Sequence, residues 1–330
     1  MNRRRVLLTA GALAACAQAR VAGPARPWPT RGVNLGNALE APNEGDWGYR
    51  IEPSDIDAIA RAGFDGVRLP VRWDAHTEAE PPYRINPALM ERVEEIALQL
   101  IAKGLKLQLD AHHYEDLIAR PREQRQRFIA IWRQIAERFA DAPQDVVTFE
   151  PLNEPFGAAW NGPLLTEMQA EIVSVIRQSN PRRAILLGGG DWNTISGLDH
   201  WRPPEAENIA VTVHYYEPYA FTHQRAEWLE PNAPVYPRAW GKTEDVARVR
   251  EHIAHAARWT RERGLALQIG EFGVNRAVQV DERAAWTQAV RQACEAEGAG
   301  WCVWDFAGAF PIYDREAGRF TPMMISALLI

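Results

Sequence analysis

Short apolar runs alternate with longer amphipathic segments along most of the chain. The amphipathic segments repeat apolar residues at helical spacing, which predicts helices at 54–61, 87–103, 122–139, 163–179, 243–263 and 281–297. The apolar runs are rich in leucine and β-branched residues with little clean alternation, which is typical of parallel strands buried on both faces. They predict eight strands, at 32–35, 66–69, 105–109, 146–152, 184–187, 209–213, 265–269 and 300–304.

The order of these elements predicts the fold class. Eight strands that alternate with helices are typical of an α/β protein with a single (β/α)8 TIM barrel. An open doubly wound sheet is the alternative, but no Gly-x-Gly-x-x-Gly sequence follows the first strand. The apolar segment 323–330 predicts a final helix on the outer ring of the barrel. We therefore expect one barrel domain over 27–330.

The first 26 residues predict an export signal that is not part of the fold. Arginines at 3–5 precede an apolar stretch at 6–15, which is too short to span a bilayer but fits a signal peptide. Residues 13–16 resemble a bacterial lipobox, which would place a lipid on Cys16. Residues 17–19 offer an ordinary cleavage site, and the arginines weakly resemble a twin-arginine signal. All three readings predict a bacterial protein that is periplasmic, anchored to the outer membrane or secreted.

Composition narrows the function classes. The 330 residues are 46% hydrophobic and 24% charged, which is typical of a globular domain. A net charge of −6 argues against binding to nucleic acid, and we expect membrane contact only through a lipid on Cys16. The other cysteines, Cys294 and Cys302, are interpreted as buried free thiols, although an oxidising compartment would also allow a disulfide between them.

Polar, titratable and aromatic residues stand at or directly after the ends of the predicted strands. In a (β/α)8 barrel the carboxyl ends of the strands meet at one rim, and active sites lie there. These side chains are therefore expected to converge on one site. They are Asn37, Glu40, Arg68, His112, His113, Asn153, Glu154, Trp192, His214, Tyr216, Glu271 and Trp304.

Two glutamates are central to the predicted chemistry. Glu154 follows the fourth strand and Glu271 the seventh, so their carboxyl groups are expected to face each other over the cleft. Facing carboxyls suit glycoside hydrolysis, in which one group protonates the leaving oxygen and the other attacks the anomeric carbon. Arg68 and the hydroxyl of Tyr216 are placed to keep the attacking carboxylate ionised. The alternative is a pair of structural carboxylates in salt bridges.

The histidines suggest a metal site as a rival interpretation. His112 and His113 are adjacent on an extended strand, so their side chains point to opposite faces and do not easily share one ion. The first strand also carries asparagines where barrel metallohydrolases usually have His-x-His. We therefore expect no metal and no organic cofactor. For His113 alone, a buried structural role is the alternative.

The 13 tryptophans fall into two groups. Three lie in helical patterns and are expected to pack against the barrel: Trp132, Trp259 and Trp286. In loops after strands, a flat aromatic face can stack on a sugar ring, with anchoring of the loop as the alternative. Three loop tryptophans are expected to contact substrate: Trp304, Trp192 and Trp228. The long segment 217–241, rich in proline and aromatic residues, is expected to form one wall of the cleft.

Seven segments follow one another in a specific order. They are RGVNLGNALE (31–40), GVRLPVRW (66–73), DAHHY (110–114), LNEP (152–155), HYY (214–216), IGEFG (269–273) and Trp304. Together they resemble glycoside hydrolase family 5 of clan A, and within it the bacterial endo-β-1,4-glucanases, some of whose relatives also act on mannans. NEP alone is a weak signal, whereas seven segments in this order are a strong one.

The resemblance implies a role for each matching position. Glu154 would be the general acid/base, and Glu271 the nucleophile of a retaining double displacement. Asn153 would bind the sugar 2-hydroxyl, while Arg68 and Tyr216 would orient Glu271. The remaining positions would line the cleavage subsite or contact sugar hydroxyls, with Trp304 as the aromatic floor: His112, His214, His113, Asn37, Glu40 and Trp304.

The sequence thus predicts a monomeric enzyme that hydrolyses internal β-1,4 bonds of cellulose-type and mixed-linkage glucans through a covalent intermediate. One alternative is an endo-β-1,4-mannanase or glucomannanase with the same catalytic pair. The other is a non-catalytic carbohydrate-binding barrel, against which the presence of Asn153, Glu154 and Glu271 argues.

Overall fold

The computed structural model describes residues 26–330, so residues 1–25 of the predicted export signal, including Cys16, lie outside the described residues. Eight parallel strands pair in chain order and close into a barrel, with the last strand pairing onto the first. The predicted (β/α)8 barrel is therefore confirmed. The strands are β1 (Arg31–Asn34), β2 (Gly66–Val71), β3 (Lys106–Ala111), β4 (Val147–Glu150), β5 (Ile185–Leu187), β6 (Ile209–His214), β7 (Leu267–Glu271) and β8 (Gly300–Val303).

Long helices cover the outside of the barrel, and short ones lie in the loops that follow β3, β5 and β6. They are α1 (Pro53–Ala62), α2 (Pro87–Ala102), α3 (Glu115–Ala119), α4 (Pro121–Arg138), α5 (Pro163–Ser179), α6 (Gly190–Asn193), α7 (Tyr219–Thr222), α8 (Thr243–Arg261), α9 (Val280–Ala296) and α10 (Pro322–Leu329). A small antiparallel pair, β9 (Tyr313–Asp314) and β10 (Arg319–Phe320), precedes the last helix. Every predicted helix is present. Within residues 26–330, no helix has the length and apolar character needed to cross a membrane.

The helix ends follow from local sequence. Proline stands in the first turn of α1, α2, α4, α5 and α10, where its fixed φ suits a helix start and its missing N–H costs nothing. The chain leaves α1 through Gly63 with a φ of 98°, a conformation that glycine adopts without steric cost. The loop from α1 into β2 is therefore only three residues long, 63–65.

Polar and apolar side chains alternate along the barrel strands. In β3, Leu107 and Leu109 belong to the apolar core, whereas Gln108 and Asp110 bond to charged groups inside the barrel. Both sets are buried, so the two buried faces expected from the sequence are confirmed. The sequence analysis expected little alternation between polar and apolar residues along the strands, and this expectation is wrong. The two kinds of residue alternate with a period of two, because one face of the strand points into the polar interior of the barrel.

Two features of the outer layer agree with the sequence analysis. Helix α10 packs on α9 with Met324 and Leu328 buried, and Arg291 Nε donates to the carbonyl of Ala327 at 3.1 Å. Cys294 and Cys302 are buried free thiols. The predictions of an outer C-terminal helix and of free thiols are both confirmed.

Candidate active site

A cleft of 1640 Å³ opens at the carboxyl ends of the strands. It exceeds the roughly 300–1,000 Å³ of a typical small-molecule pocket, so it has room for an extended ligand. Arg68 is fully buried, and Asn153 keeps 7% of its surface exposed. The predicted residues that line the cleft are Asn37, Glu40, His112, His113, Glu154, Trp192, His214, Tyr216, Trp228, Glu271 and Trp304.

Glu271, at the end of β7, is held by two hydrogen-bond donors. Arg68 Nη1 donates to its Oε1 at 2.6 Å, and the hydroxyl of Tyr216 donates to its Oε2 at 2.9 Å. Burial raises the pKa of Glu271, whereas His214, Arg68 and Tyr216 act in the opposite direction. Burial and nearby carboxylates raise the pKa of Tyr216 well above its usual value, so its hydroxyl remains a donor. These donors favour a carboxylate at Glu271.

A β-bulge turns Glu271 into the cleft. The register between β6 and β7 slips at Gly270, which makes this glycine the extra residue. A bulge shifts the side-chain alternation by one residue. Glu271 therefore points inward although Ile269, two residues earlier, packs in the apolar core. A Cβ atom on Gly270 would lie 2.4 Å from Thr212 Oγ1, so this position requires glycine.

Arg68, in β2, is the fully buried centre of the charged cluster. Its Nε and Nη2 donate to the carboxylate of Glu150 at 2.7 and 3.0 Å. Its Nη2 also donates to Asn153 Oδ1 at 2.8 Å and pairs with Asp110 at 3.0 Å. Burial opposes the charge of Arg68, but Asp110, Glu150 and Glu271 raise its pKa well above its usual value. The guanidinium is therefore a permanent cation between the carboxyl groups.

Glu150, the last residue of β4, is a site residue that the sequence analysis missed. It is fully buried and accepts hydrogen bonds from Arg68 and from Gln108 Nε2, the latter at 2.6 Å. Thr148, two residues earlier, faces the same interior. Residues two positions apart on a strand share a face, so a charged residue two positions after a polar one in a buried strand is the signal that would have identified Glu150.

Glu154 stands in the loop after β4 with a backbone φ of 31°. This left-handed region costs a non-glycine residue about 1–3 kcal/mol and is typical of functional sites. Its Oε1 lies 2.6 Å from Nδ1 of His214, and 29% of its side chain is exposed to the cleft. Burial raises the pKa of Glu154 to about 7; the charge of Glu150 adds to this effect and Arg68 opposes it. The carboxyl therefore keeps its proton up to about neutral pH.

The two catalytic candidates lie close together. One oxygen of Glu154, one oxygen of Glu271 and one nitrogen of His214 lie within 4.8 Å of one another. Carboxyl groups about 5–5.5 Å apart are typical of retaining glycosidases, whereas inverting enzymes need about 6.5–9.5 Å. These three atoms have the spacing of metal ligands, but the Glu271 oxygens already accept hydrogen bonds from Arg68 and Tyr216. The adjacent guanidinium also opposes a cation.

The two histidines after β3 have different surroundings. Nδ1 of His112 lies 2.6 Å from Asp110, and its ring stacks on Trp304 with ring centres 5.7 Å apart and planes 7° apart. Burial lowers the pKa of His112 well below its usual range, so it is neutral. His113 is exposed and has a backbone φ of 53°. Its ring lies edge to face with Trp47, with ring centres 5.7 Å apart. The two imidazole rings meet edge to face with ring centres 4.5 Å apart, so the prediction that these side chains point to opposite faces is wrong. Both residues follow the end of β3, and the positive φ of His113 breaks the alternation of an extended strand.

Asn37 and Glu40, in the loop after β1, differ in their exposure to the cleft. Asn37 lies at the cleft with a φ of 65°, and its Nδ2 donates to Asp305. Glu40 is fully buried, and its carboxyl accepts the backbone N–H groups of Asn37 and Ala38. Burial raises the pKa of Glu40 to about 8. Glu40 lies behind the surface of the cleft wall, where it orders the loop that presents Asn37, and its contact with sugar hydroxyls stays a prediction.

Two exposed aromatic groups flank the cleft. Trp192 is 46% exposed and stacks on Phe156 with ring centres 4.7 Å apart and planes 4° apart. Its backbone N–H donates to the carbonyl of Pro155, next to Glu154. Trp228 is 57% exposed and packs on Phe310 at 5.8 Å. Sequence analysis missed Phe156, because a single apolar residue in a loop gives no periodic signal.

The remaining aromatic predictions agree with the structure. Segment 217–241 lines the cleft through Glu217, Tyr219, His223, Glu227, Trp228 and its neighbours, so the expected wall is confirmed. The tryptophans expected to pack against the barrel are all buried: Trp132, Trp259 and Trp286.

Comparison with known proteins identifies the family to which the chain belongs. The family model described as cellulase (glycosyl hydrolase family 5) matches residues 26–309. Endoglucanase H of Acetivibrio thermocellus is 33% identical over 304 residues, which cover 90% of this chain and 32% of that protein. The chain thus spans about a third of the length of this relative.

Solved structures with the same fold include endoglucanase Cel5A from the hyperthermophilic Thermotoga maritima. It is 38% identical with a TM-score of 0.87, over 91% of this chain and 96% of that one. A structure of Cel5A in complex with mannotriose is 37% identical with a TM-score of 0.87, over 92% of this chain and 98% of that one. The likeness covers nearly all of the barrel.

Proposed function

The chain belongs to glycoside hydrolase family 5, and from this premise we propose that it is an endo-β-1,4-glucanase that acts with retention of anomeric configuration. The observation that carries the proposal is the pair Glu154 and Glu271, whose nearest oxygens lie within 4.8 Å at the floor of a long cleft. The endoglucanase names of the relatives support a β-1,4-glucan as the substrate.

In the first step, the Glu271 carboxylate attacks the anomeric carbon while the bond from that carbon to the leaving oxygen breaks. Glu154 gives its proton to this oxygen, and the sugar remains covalently bound to Glu271. The raised pKa of Glu154, about 7, keeps the proton available. Arg68 and Tyr216 keep Glu271 ionised and aimed.

In the second step, the ionised Glu154 takes a proton from water, and the water oxygen attacks the anomeric carbon. The bond to Glu271 breaks, which releases the sugar and restores the carboxylate. Glu271 loses its negative charge as the covalent bond forms in the first step and regains it as that bond breaks in the second. The same two donors, fixed before the reaction begins, stabilise the departing carboxylate in the second step.

Substrate binding is assigned to the groups around this pair. Asn153 accepts from Arg68 through Oδ1, which leaves its amide Nδ2 free to donate to the sugar 2-hydroxyl. Trp304, stacked on His112, offers a flat face under the sugar at the cleavage point. On the side of Glu154, the exposed face of Trp192 is available to the leaving part of the chain.

The test is the initial release of reducing ends by the purified protein on four polymers. These are carboxymethyl-cellulose, mixed-linkage β-glucan, glucomannan and pure mannan, with Glu271→Gln as the blank. We expect strong release from the two glucans and little from pure mannan. Equal or greater release from mannan would contradict the glucanase assignment while leaving the chemistry intact. No release from any polymer would contradict the proposed function.

We also infer that the enzyme acts outside the cytoplasm. The inference rests on the arginines at 3–5 and the apolar stretch at 6–15. It is tested by fractionating cells that express the full chain. Activity that stays in the cytoplasm would contradict it.

A further inference from the structure

Two buried polar atoms beneath the catalytic pair have no hydrogen-bonding partner within residues 26–330. They are the hydroxyl Oγ1 of Thr212 and Nε2 of His214. Both residues lie on β6, two positions apart, so their side chains share the inner face of the barrel. Because a buried polar atom without a partner costs about 1–3 kcal/mol, each such pair of atoms calls for an explanation.

Gly270 brings the two atoms together. From the point where a Cβ of Gly270 would stand, Thr212 Oγ1 is 2.4 Å away and His214 Nε2 is 3.4 Å away. The two atoms therefore flank the same small space, on the side of the imidazole opposite the catalytic carboxyls. Thr212 Oγ1 and His214 Nε2 are therefore at most 5.8 Å apart. One buried water can bridge such a separation, and a rotation of the Thr212 side chain can shorten it to a direct hydrogen bond.

The other nitrogen of His214 faces the reacting groups. Its Nδ1 lies 2.6 Å from Glu154 and 3.6 Å from Glu271. A proton on Nδ1 suits two nearby carboxylate oxygens, whereas a lone pair there would repel them whenever they are ionised. Neutral imidazole with its proton on Nδ1 has only a lone pair at Nε2, which then needs a donor.

We propose that Thr212 is a positioning residue, whose hydroxyl donates to Nε2 of His214 and thereby fixes the proton of the imidazole on Nδ1. In this tautomer the His214 N–H occupies Oε1 of Glu154. The proton that Glu154 transfers must then sit on Oε2, the oxygen left free for the substrate. Thr212 thus acts on acid catalysis through His214 without touching the sugar. The inference rests on the proposed acid role of Glu154.

The reverse direction of the hydrogen bonds at Thr212 and His214 would require a different acceptor for the Thr212 hydroxyl. Gln268 pairs with Thr212 in the sheet register, and its Oε1 is also unpartnered within the described part of the chain. If Thr212 donated to Gln268, its oxygen would accept from Nε2–H of His214. The lone pair of Nδ1 would then face Glu154 at 2.6 Å, which is stable only while Glu154 directs its own proton at the histidine.

The test compares Thr212→Val, which keeps the shape without the hydroxyl, with Thr212→Ser, which keeps the hydroxyl. The kcat/KM is measured on carboxymethyl-cellulose and on 2,4-dinitrophenyl β-cellobioside, whose leaving group needs no proton. We expect Thr212→Val to lose about tenfold on the polymer, as for one hydrogen bond, and much less on the aryl glycoside. Thr212→Ser should recover most of the loss.

The tautomer itself is measured on the unaltered enzyme by ¹⁵N NMR of labelled histidine. The His214 signals are assigned by their loss in His214→Gln. We expect a protonated Nδ1 and an unprotonated Nε2. A protonated Nε2, an equal loss on both substrates or no recovery in Thr212→Ser would overturn the inference. Failure of Thr212→Val to fold leaves the NMR result decisive.

The two proposals fail in different ways. If Glu154→Gln loses equally on the polymer and the aryl glycoside, the acid role fails and this inference fails with it. If Glu154→Gln separates the two substrates but Thr212→Val matches the unaltered enzyme, only the role of Thr212 is wrong.

Discussion

Proton donation by Glu154 contributes to kcat/KM, and the size of this contribution depends on the leaving group of the substrate. We predict that Glu154→Gln lowers kcat/KM on carboxymethyl-cellulose by about 10²–10⁴-fold, the usual contribution of general acid catalysis. On 2,4-dinitrophenyl β-cellobioside the loss should be far smaller, because that leaving group departs as an anion. Kinetics on the two substrates in parallel check this. Glu115→Gln is the control, since that side chain lines the cleft but is 76% exposed and has no assigned role.

The pH profile follows from the two carboxyl groups. Glu154 must be protonated to act as an acid, and its pKa is raised to about 7, so kcat/KM on polymer should fall as the pH rises through about 7. Glu271 must be ionised, so its raised pKa sets the acidic limb of the profile. With the dinitrophenyl substrate, kcat/KM should lose the alkaline limb. An alkaline limb of the same position on both substrates would contradict the assignment.

At the residue scale, the sequence revealed the groups at the strand ends but not those that fill the barrel. Glu154 and Glu271 stand at strand ends, where position alone places them at the rim. Glu150 lies inside a strand, and its role depends on the guanidinium of Arg68, which comes from another strand. Glu40 is buried because its loop folds so that the carboxyl accepts backbone N–H groups of the same loop. The residue type alone does not reveal such a fold.

The β-bulge in β7 carries a prediction at the element scale. A Cβ at Gly270 would press on Thr212 Oγ1 at 2.4 Å and would displace the strand that carries Glu271. We predict that Gly270→Ala lowers the free energy of unfolding by about 1–3 kcal/mol and reduces kcat/KM strongly. Urea unfolding and kinetics measure the two effects.

Gly162→Ala is the matched control for that variant. Gly162 precedes α5 with a φ of −155°, and a Cβ there would meet nothing within 4 Å. Both the stability and the kcat/KM of this variant should stay close to those of the unaltered enzyme. If Gly270→Ala behaves in the same way, the bulge does not determine the orientation of Glu271.

Elements were predictable where a periodic pattern is long enough to be seen. The long helices have bounds close to those expected from their apolar spacing, as α5 at Pro163–Ser179 shows. The short helices α3, α6 and α7 were not predicted, because four or five residues hold too few turns. The predicted end of β7 at residue 269 was too early, because the bulge extends the strand through Gly270 to Glu271.

For the molecule as a whole, α10 closes the outer ring and lies far from the chemistry. Leu328 is fully buried in the contact with α9. We predict that Leu328→Ala lowers the free energy of unfolding by about 2–5 kcal/mol and leaves kcat/KM at 25 °C nearly unchanged. Ile330→Ala, at an 89% exposed position, is the control and should change neither quantity. A large loss of activity in folded Leu328→Ala would mean that α10 supports the site.

The overall architecture was predictable because it depends on order and not on detail. Eight buried runs separated by helices specify a closed parallel barrel, and the barrel brings the strand ends to one rim. The polar interior around Arg68 was not predicted, since its contacts join β1 through β4 with β7. Such contacts arise only when the barrel closes.

The most direct test of the mechanism is to trap the covalent intermediate. A 2-deoxy-2-fluoro-cellobioside with a good leaving group should react once with the enzyme and remain attached. The fluorine slows both steps by destabilising their oxocarbenium-like transition states, and the good leaving group restores the rate of the first step only. Trypsin then releases residues 264–276, a peptide whose one acidic side chain is Glu271. We predict one fluorocellobiosyl group per enzyme, on this peptide. An adduct on the peptide 139–177 that contains Glu154, or turnover without any adduct, would contradict nucleophilic catalysis by Glu271.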